Sequence, residues 1–386
     1  MPCKALRWGP YVANIGRILI TGGGIAGLSL ATALHRQGFA AELVERSKKW
    51  PAIGAGINLP ANGVRALRAL GVGEAVEQAG AVIRRWGFFD QQGEMLCDTD
   101  LEELWGDVGP CIGIERVKLH QALLAGACGV PSRLAIAVVS VAQADRKVLV
   151  GFSDGSSGDY DLVVGADGIY STVSAVTMRA EPPVYAGQVV WRSISSTRPE
   201  GVTNMMVLMG DGRYFGLVPM GDGRTYGFGA LGGPCFDDPL TGRLERFRRH
   251  FEAFGGPVPE YLASLEYDEQ LHFAPIEWVD RARWYGDRVV LIGDAAHAGP
   301  PHMGEGGCMA IEDALVLAEV LRSEHTIEEA LDAYVNRRRP RTDWVQQQSR
   351  AAAQAWILPP AVRNSALRER GDQMMHDRFG PLKSLP

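Results

Sequence analysis

The sequence predicts an α/β protein in which a three-layer domain is interrupted by a second domain on a mostly antiparallel β-sheet and is followed by C-terminal helices. A β-branched strand, a glycine-rich turn and an apolar helix open the chain after residue 16. From about 182 to 273, short runs of Val, Met, Tyr and Phe alternate with Gly-Asp turns, which is typical of antiparallel sheets. A buried apolar strand returns at 288–292. At 386 residues the chain is too long for one small core.

Periodicity and turn residues place the individual elements. Gly38 should end the first helix, and breaks are expected at Pro340 and at Pro359-Pro360. The expected strands span 17–21, 41–44, 147–152, 161–164 and 288–292. The expected helices span 62–70, 117–127 and about 307–321.

These elements suggest domain boundaries. Residues 1–16 have two positive charges and no sustained apolar run, so we interpret them as an N-terminal extension and not as a signal peptide. The first domain is expected to comprise 17–80, 106–181 and 274–330, the second domain 81–105 and 182–273, and the C-terminal helical region 331–386.

Composition excludes several classes of function. The chain has 39 basic and 45 acidic residues, a balance that argues against nucleic-acid binding. No apolar run is long enough to span a bilayer. The six cysteines are scattered without a C-x-x-C pair, which favours reduced thiols in a cytoplasmic protein and predicts no metal centre.

The first glycine-rich turn has the pattern G-x-G-x-x-G. Gly22 would permit the tight turn, Gly24 the approach of a pyrophosphate, and Gly27 close packing of helix on strand. The helix N-terminus would supply N–H groups and a partial positive charge to the phosphates. Glu45, at the end of the second strand, would accept the ribose hydroxyls. The predicted cofactor residues of this Rossmann-like unit are Gly22, Gly24, Ile25, Ala26, Gly27, Glu45 and Arg46.

This motif alone does not separate FAD from NAD, but two later segments do. VVGADGIYS at 163–171 and LIGDAAH at 291–297, followed by PPHMGEGG at 300–307, each follow a predicted strand. With them the chain, from residue 17 onward, resembles the FAD-dependent aromatic hydroxylases related to p-hydroxybenzoate hydroxylase. It looks closest to members that act on salicylate-, hydroxynicotinate-, urate- or quinolone-like substrates.

The resemblance implies an activity. FAD would be bound, NAD(P)H would be a transient co-substrate, and a flavin C4a-hydroperoxide would deliver oxygen from O2 to an aromatic or heteroaromatic ring. The same scaffold also performs epoxidation and Baeyer–Villiger oxidation. A flavin-binding redox sensor without turnover is an alternative from another class. A cytoplasmic monomer or homodimer without a membrane span is expected.

The resemblance also assigns roles to residues of the later segments. Asp294 would bind the ribityl chain, Arg116 would lie beside the FAD phosphates and ribityl chain, and Pro301 would flank the flavin face where oxygen adds. Asp167 and Gly168 would lie near the pyrophosphate, at a position that serves both FAD and NAD(P)H. Backbone N–H groups of the turn at 304–307 would reach the pyrimidine edge of the flavin. The cofactor residues expected here are Arg116, Asp167, Gly168, Asp294, Pro301, Gly304, Gly306 and Gly307.

Two positions depart from the family pattern. Relatives usually have Gln where this chain has Glu305, and often Arg where it has Ala175. The flanking glycines should leave Glu305 little shelter from solvent. We therefore expect a modest lowering of the flavin potential by its charge.

The remaining predictions concern catalysis and the substrate. Tyr214, Pro301 and His302 are the candidate catalytic residues, with Tyr214 as a phenol that could hydrogen-bond a substrate hydroxyl. His297 is expected to be packed, since the spacing to His302 lacks a third metal ligand. The candidate substrate-binding residues, any of which could instead fill a core, are Trp191, Arg192, Met205, Tyr214, Phe215, Leu217 and Phe228.

Overall fold

The structure is a computed structural model that describes residues 15–50 and 55–386. Of the N-terminal extension expected at 1–16, residues 1–14 lie outside the described residues. No helix in the described part is both long enough and apolar enough to cross a membrane.

The strands are β1 Ile18–Thr21, β2 Ala41–Glu45, β3 Gly56–Leu59, β4 Ala81–Ile83, β5 Arg85–Asp90, β6 Met95–Asp100, β7 Cys111–Glu115, β8 Ser132–Leu134, β9 Val138–Ala144, β10 Lys147–Phe152, β11 Ser157–Tyr160, β12 Leu162–Gly165, β13 Val184–Ser195, β14 Met205–Met209, β15 Arg213–Pro219, β16 Thr225–Gly232, β17 His272–Trp278, β18 Tyr285–Gly286 and β19 Val289–Leu291. The helices are α1 Ile25–Gln37, α2 Ala61–Ala69, α3 Gly73–Ala79, α4 Leu101–Trp105, α5 Arg116–Gly126, α6 Thr172–Met178, α7 Arg243–Phe251, α8 Val258–Ala263, α9 Asp294–His297, α10 Gly306–Ser323, α11 Ile327–Trp356 and α12 Pro360–Phe379.

The first sheet has the strand order β18-β19-β12-β1-β2-β8 and is parallel except for the edge strand β18. Its central strands are fully buried apolar runs, as expected for a parallel sheet covered on both faces. Helix α1 packs against α5 and α10. The expected α/β class, with a mostly parallel first sheet, is thereby confirmed.

The second sheet has the order β17-β13-β16-β15-β14-β5-β6 and is antiparallel except between β14 and β5. Most of its strands come from the two segments that the sequence assigned to the second domain, but β17 lies mainly beyond residue 273, in residues expected for the first domain. Strand β4 differs, because it pairs with β7 in a small separate sheet. One face of the large sheet packs on α7 and α8 through its own apolar cluster, and the opposite face joins the main core.

The expected break at Pro340 is wrong, because α11 continues through it from Ile327 to Trp356. Buried ion pairs hold the helix on both sides of the proline. Arg338 lies 2.9 Å from Glu312, and Arg341 lies 2.8 Å from the same carboxylate. These contacts offset the one backbone hydrogen bond that a proline removes. The break at 359–360 is confirmed, since α12 begins at Pro360.

Candidate active site

The three sequence motifs meet at one edge of the parallel sheet. Strands β1, β12 and β19 are adjacent and parallel, so their carboxyl ends lie together. The turns that follow them are in contact. A Cβ added to Gly22 would lie 2.4 Å from the Ala166 carbonyl oxygen, and one added to Gly293 would lie 2.9 Å from the Ala26 Cβ. Residues far apart in sequence thus line one crevice, where open α/β sheets bind their ligands.

The glycine-rich turn is shaped as a phosphate cradle. A Cβ on Gly27 would lie only 1.9 Å from the Gly22 carbonyl oxygen, so this glycine permits the helix to pack on the turn. A Cβ on Gly24 would have nothing within 4 Å. The first hydrogen bond of α1 runs from the Leu28 N–H to the Gly24 carbonyl at 3.0 Å. The N–H groups of Ile25 and Ala26, ahead of it, have no partner within the helix. This open space, bordered by N–H donors, fits a pyrophosphate.

Glu45 braces the turn from the next strand. Its carboxylate accepts hydrogen bonds from the Gly23 N–H at 2.7 Å and the Ser47 N–H at 2.8 Å. Burial alone would raise the pKa of Glu45, but these bonds and the neighbouring Arg46 lower it, so the group is ionised. A carboxylate has about four acceptor positions, so Glu45 can still accept a ribose hydroxyl. Arg46 itself is exposed.

Asp167 and Gly168 stand beside this cradle. Asp167 accepts a hydrogen bond from the Val173 N–H at 3.1 Å, while its Oδ1 is buried without a partner among the described residues. Burial raises the pKa of Asp167. Gly168 has a positive φ of 81°, and a Cβ there would meet nothing within 4 Å. An orphaned acceptor beside open space fits a polar ligand group.

Asp294 opens helix α9 at the same edge. Its side chain is exposed and makes no hydrogen bond to another described residue. A Cβ on Gly306 would lie 3.9 Å from the Asp294 Oδ1, so the start of α10 faces this carboxylate. Arg116, at the start of α5, is also exposed, and its N–H donates to the Ala55 carbonyl at 2.8 Å. Both charged groups are free to reach a cofactor.

The turn at 304–307 follows a short 3-10 helix, Pro301–Met303, whose Pro301 is exposed. Gly304 has a positive φ of 69°, which favours glycine. A Cβ on Gly307 would lie 3.2 Å from the Ile57 Cδ1 of β3. The turn is therefore held close to β3, with little room for a larger residue.

Glu305 does not behave as the sequence led us to expect. Only 1% of it is exposed, so the prediction that flanking glycines would leave it in solvent is wrong. Its side chain points into the core and accepts a hydrogen bond from the Asn62 Nδ2 at 3.0 Å. Glycines on both sides leave the backbone free to turn the side chain inward. The expectation that the charge of Glu305 lowers the flavin potential therefore loses its structural basis.

A buried charged network lies behind the turns. His297 contacts the Asp313 carboxylate at 2.6 Å, which confirms that this histidine is packed. Asp313 also accepts from the Gly293 N–H at 2.9 Å and pairs with Arg338 at 2.8 Å. Burial opposes ionisation of Asp313, but His297 and Arg338 lower its pKa far below the usual range. The network ties the Gly293 turn to α10 and α11. Among the described residues no cluster could hold a metal ion.

Tyr214 and His302 are brought together, but in a buried cluster. The Tyr214 hydroxyl lies 2.9 Å from the His302 Nε2 and 3.0 Å from the Gln188 Oε1. Trp356 packs edge-on against both rings. Burial lowers the pKa of His302 to about 3 and raises that of Tyr214, so both are neutral. Neither residue presents its polar atoms to solvent here.

The candidate substrate residues divide between the two faces of the second sheet. Trp191, Phe215 and Leu217 are fully buried in the cluster that packs on α7 and α8. This corrects their assignment to a pocket, and the reason is strand alternation, which sends neighbouring side chains to opposite faces. The members on the other face are Arg192, Met205, Tyr214 and Phe228.

An aromatic row crosses this second face. Phe228 contacts Tyr214 at a centroid distance of 6.3 Å and Tyr226 at 5.6 Å. A Cβ on Gly216 would lie 2.0 Å from the Phe228 ring, so this glycine makes room for the ring. A Cβ on Gly56 of β3 would lie 2.3 Å from the Tyr226 side chain. The row therefore runs from the second sheet to β3, beside the turn at 304–307.

Comparison with known proteins agrees with this geometry. The family model described as "FAD binding domain" matches residues 16–349, most of the chain. This chain belongs to that family. The flavoprotein is 35% identical to the aurachin C monooxygenase/isomerase of Stigmatella aurantiaca, covering 82% of this chain and 83% of the relative. It is 32% identical to the 3-amino-4-hydroxybenzoate 2-monooxygenase of Streptomyces cremeus, covering 89% and 88%.

A solved structure extends the likeness to three dimensions. Klebsiella pneumoniae HpxO, complexed with FAD and uric acid, superposes with a TM-score of 0.90 at 27% identity over 97% of this chain and 99% of that one. The flavoprotein is thus an FAD-dependent monooxygenase, with FAD as its cofactor. Use of NAD(P)H as co-substrate is general for the family.

Several residues of this region were missed by the sequence analysis. Gln188, Tyr226 and Trp356 belong to no motif and lie far from one another in the chain. Asn62 was assigned only to a helix, although it holds Glu305. The single usable signal was the aromatic residue two positions before Phe228, which strand alternation puts on the same face.

Proposed function

We propose that this monooxygenase uses NAD(P)H and O2 to hydroxylate a small aromatic or heteroaromatic ring. The observation that carries the proposal is the convergence of the three motif turns on one sheet edge beside the aromatic row of the second sheet. Two relatives are named as a 3-amino-4-hydroxybenzoate 2-monooxygenase and a urate hydroxylase, and both of these substrates are planar rings. Planar rings suit contact with aromatic side chains such as those of this row.

The residues present fit the cofactor. Gly24 and the start of α1 would receive the pyrophosphate, Glu45 the ribose, Asp294 the ribityl chain, and the turn at 304–307 the flavin ring. When bound, FAD supplies the redox chemistry, taking electrons from NAD(P)H and activating O2. The protein's part is to position the ring and exclude water.

Substrate recognition would fall to the accessible side chains of the second face. Arg192 and Phe228 face each other across β13 and β16, and both are partly exposed. Phe228 offers an aromatic edge, and Arg192 a cation that interacts with Tyr226. A planar ring with a polar or anionic substituent matches this pair. Tyr214 and His302 would contribute indirectly, because their contact would hold β15 against the turn at Pro301.

The proposal is tested by measuring NAD(P)H consumption and by analysing the products. NADH or NADPH oxidation is measured with a panel of hydroxylated benzoates, hydroxypyridines, quinolones and purines, and products from isotopically labelled O2 are analysed by mass spectrometry. A true substrate should accelerate NAD(P)H oxidation and gain one labelled oxygen atom. Oxidation that yields only peroxide with every aromatic compound would refute ring hydroxylation.

One observation favours a second outcome of the same chemistry. A relative with 35% identity is named a monooxygenase/isomerase. Oxygen insertion as an epoxide, followed by rearrangement, is therefore our second candidate. The two outcomes differ in the position of the labelled oxygen relative to the ring substituents, which fragmentation of the product reveals.

We also infer a cytoplasmic protein that is a monomer or a homodimer. The inference about the compartment rests on the cysteines, which are free wherever the structure describes them: Cys97, Cys111, Cys128, Cys235 and Cys308. Reduced thiols are typical of the cytoplasm. Light scattering after gel filtration would determine the oligomeric state.

A further inference from the structure

The Glu305 carboxyl lies in the core, directly behind the turn at 304–307. Only 1% of the residue is exposed. Its Oε2 accepts the Asn62 amide at 3.0 Å, and its Oε1 is buried with no hydrogen-bond partner among the described residues. An ionised carboxylate in such a position would leave an acceptor unsatisfied in a medium of low polarity.

Among the described residues, this carboxyl takes part in no salt bridge. Arg341, whose charge acts on Glu305, is paired with Glu312 at 2.8 Å, and Arg338 pairs with the same Glu312 carboxylate at 2.9 Å. The same Asn62 amide that serves Glu305 also donates to Glu312, at 3.2 Å. A charge on Glu305 would thus be buried, unpaired and close to a second carboxylate. Each of these features favours the protonated form.

Burial, reinforced by the charge of Glu312, raises the pKa of Glu305 from its usual 4.5 to about 8. The thiols of Cys308 and Cys111 also face it, and burial keeps both neutral by raising their pKa values. The titratable and charged groups around this acid are Cys308 and Glu312 of α10, Cys111 of β7, Arg341 and Arg338 of α11 and, through Glu312, Arg65 of α2.

We propose that Glu305 is an uncharged acid and a positioning residue for the flavin, and that its ionisation at alkaline pH weakens FAD binding through the turn at 304–307. The proposal rests on the proposed role of that turn in holding the flavin ring. Glu305 is the residue before α10, and its carbonyl accepts the Met309 N–H at 2.8 Å. Once ionised, the side chain must either draw in water or rotate outward. Either movement displaces the backbone of Gly304 and Gly306, which are bonded to it.

The test compares wild type with Glu305→Gln, which keeps the shape and the Asn62 contact but cannot ionise. Glu319→Gln is the matched control, because Glu319 lies on α10, the helix that Glu305 precedes, and its side chain is 59% exposed. In FAD-free protein, the wild-type unfolding constant should rise about tenfold per pH unit between about pH 6 and pH 8 relative to Glu305→Gln, and then level off. The sign follows from the raised pKa, since the unfolded chain loses this proton earlier. Equal slopes for the two proteins would overturn the assignment of an uncharged acid.

FAD titration of the same proteins tests the positioning role. Wild type and Glu305→Gln should bind FAD equally below about pH 7, and wild type should lose at least about threefold in affinity above pH 9 while Glu305→Gln does not. Parallel curves would overturn the link to the flavin even if the stability result holds. Failure of every variant to bind FAD would instead refute the cofactor site. If Glu305→Gln does not fold, the infrared band of a protonated carboxyl in wild type should disappear across this pH range, and its absence at pH 6 would contradict the proposal.

Discussion

Two glycines of the first motif make opposite predictions, because the structure gives them opposite surroundings. A side chain on Gly24 would enter open space, whereas one on Gly27 would lie 1.9 Å from the Gly22 carbonyl oxygen. Gly24→Val should therefore cost the FAD-free fold only about 1 kcal/mol, because Gly24 is the N-cap of α1 and a β-branched residue is a poorer cap. It should, however, block the approach of the pyrophosphate. If two charge-assisted hydrogen bonds of about 1.5–3 kcal/mol each are lost, affinity for FAD falls by at least about 100-fold.

Gly27→Ala should show the reverse order of effects. The clashing atom belongs to the backbone and cannot rotate away, so the helix must shift by roughly 1 Å, at a cost of about 3 kcal/mol or more. Thermal unfolding of FAD-free protein would record this as a fall in Tm of a few °C. Gly286→Val is the matched control for Gly24→Val, since a Cβ on Gly286 also meets nothing within 4 Å and this residue lies on edge strand β18. Undiminished FAD affinity in Gly24→Val, measured by calorimetric titration, would refute the phosphate cradle.

Three further substitutions test the buried contacts. Arg338→Met removes the cation that two buried carboxylates share, leaving Glu312 with Arg341 and Asp313 with His297, and should cost about 3–5 kcal/mol in urea unfolding. Arg337→Met, at the surface, should cost under about 1 kcal/mol, and similar losses for the two variants would contradict the network. Tyr214→Phe keeps the ring but removes the hydroxyl that donates to the Gln188 oxygen, which still lies 3.2 Å from the His302 Nε2, and should cost about 1 kcal/mol in thermal unfolding. Leu217→Ala should cost about 2–5 kcal/mol in urea unfolding and leave the substrate KM unchanged, and an altered KM would return Leu217 to the pocket.

The sequence allowed accurate prediction wherever a backbone requirement selects a residue type. Gly38 ends α1, as expected, and has the left-handed conformation. The helix predicted at about 307–321 is α10, Gly306–Ser323, so both of its ends were predicted within two residues. Pro340 was misjudged because the contacts that support it come from α10, about 25 residues earlier in the chain. Local rules describe the helix that a proline enters, but they do not include a buried ion pair to another helix.

Side-chain direction was the second limit. Alternation along β13 and β15 places neighbouring candidate residues on two opposite faces of the sheet. It does not determine which of these faces packs against α7 and α8. Glu305 shows the same limit at a single position. A glycine on each side allows the side chain either direction, and only the buried Asn62 of α2 selects the inward one. That donor is 243 residues away in the chain and has no motif of its own.

Backbone groups and side chains therefore have separate proposed roles in the site, the first in holding the cofactor and the second in contacting the substrate. The cofactor cradle is built from glycines and backbone N–H groups, so its geometry depends on the Gly293 and Gly22 turns, which strands β19 and β1 hold in register. The proposed substrate side consists of side chains on β13 and β16, where exchanging Arg192 or Phe228 would alter charge or shape without changing the cradle. Relatives that are 30–32% identical to this chain and are named as a quinolone synthase, a urate hydroxylase and a 3-amino-4-hydroxybenzoate 2-monooxygenase are what this separation would produce. Substitution at Arg192 should consequently change which ring is accepted before it changes whether FAD is bound.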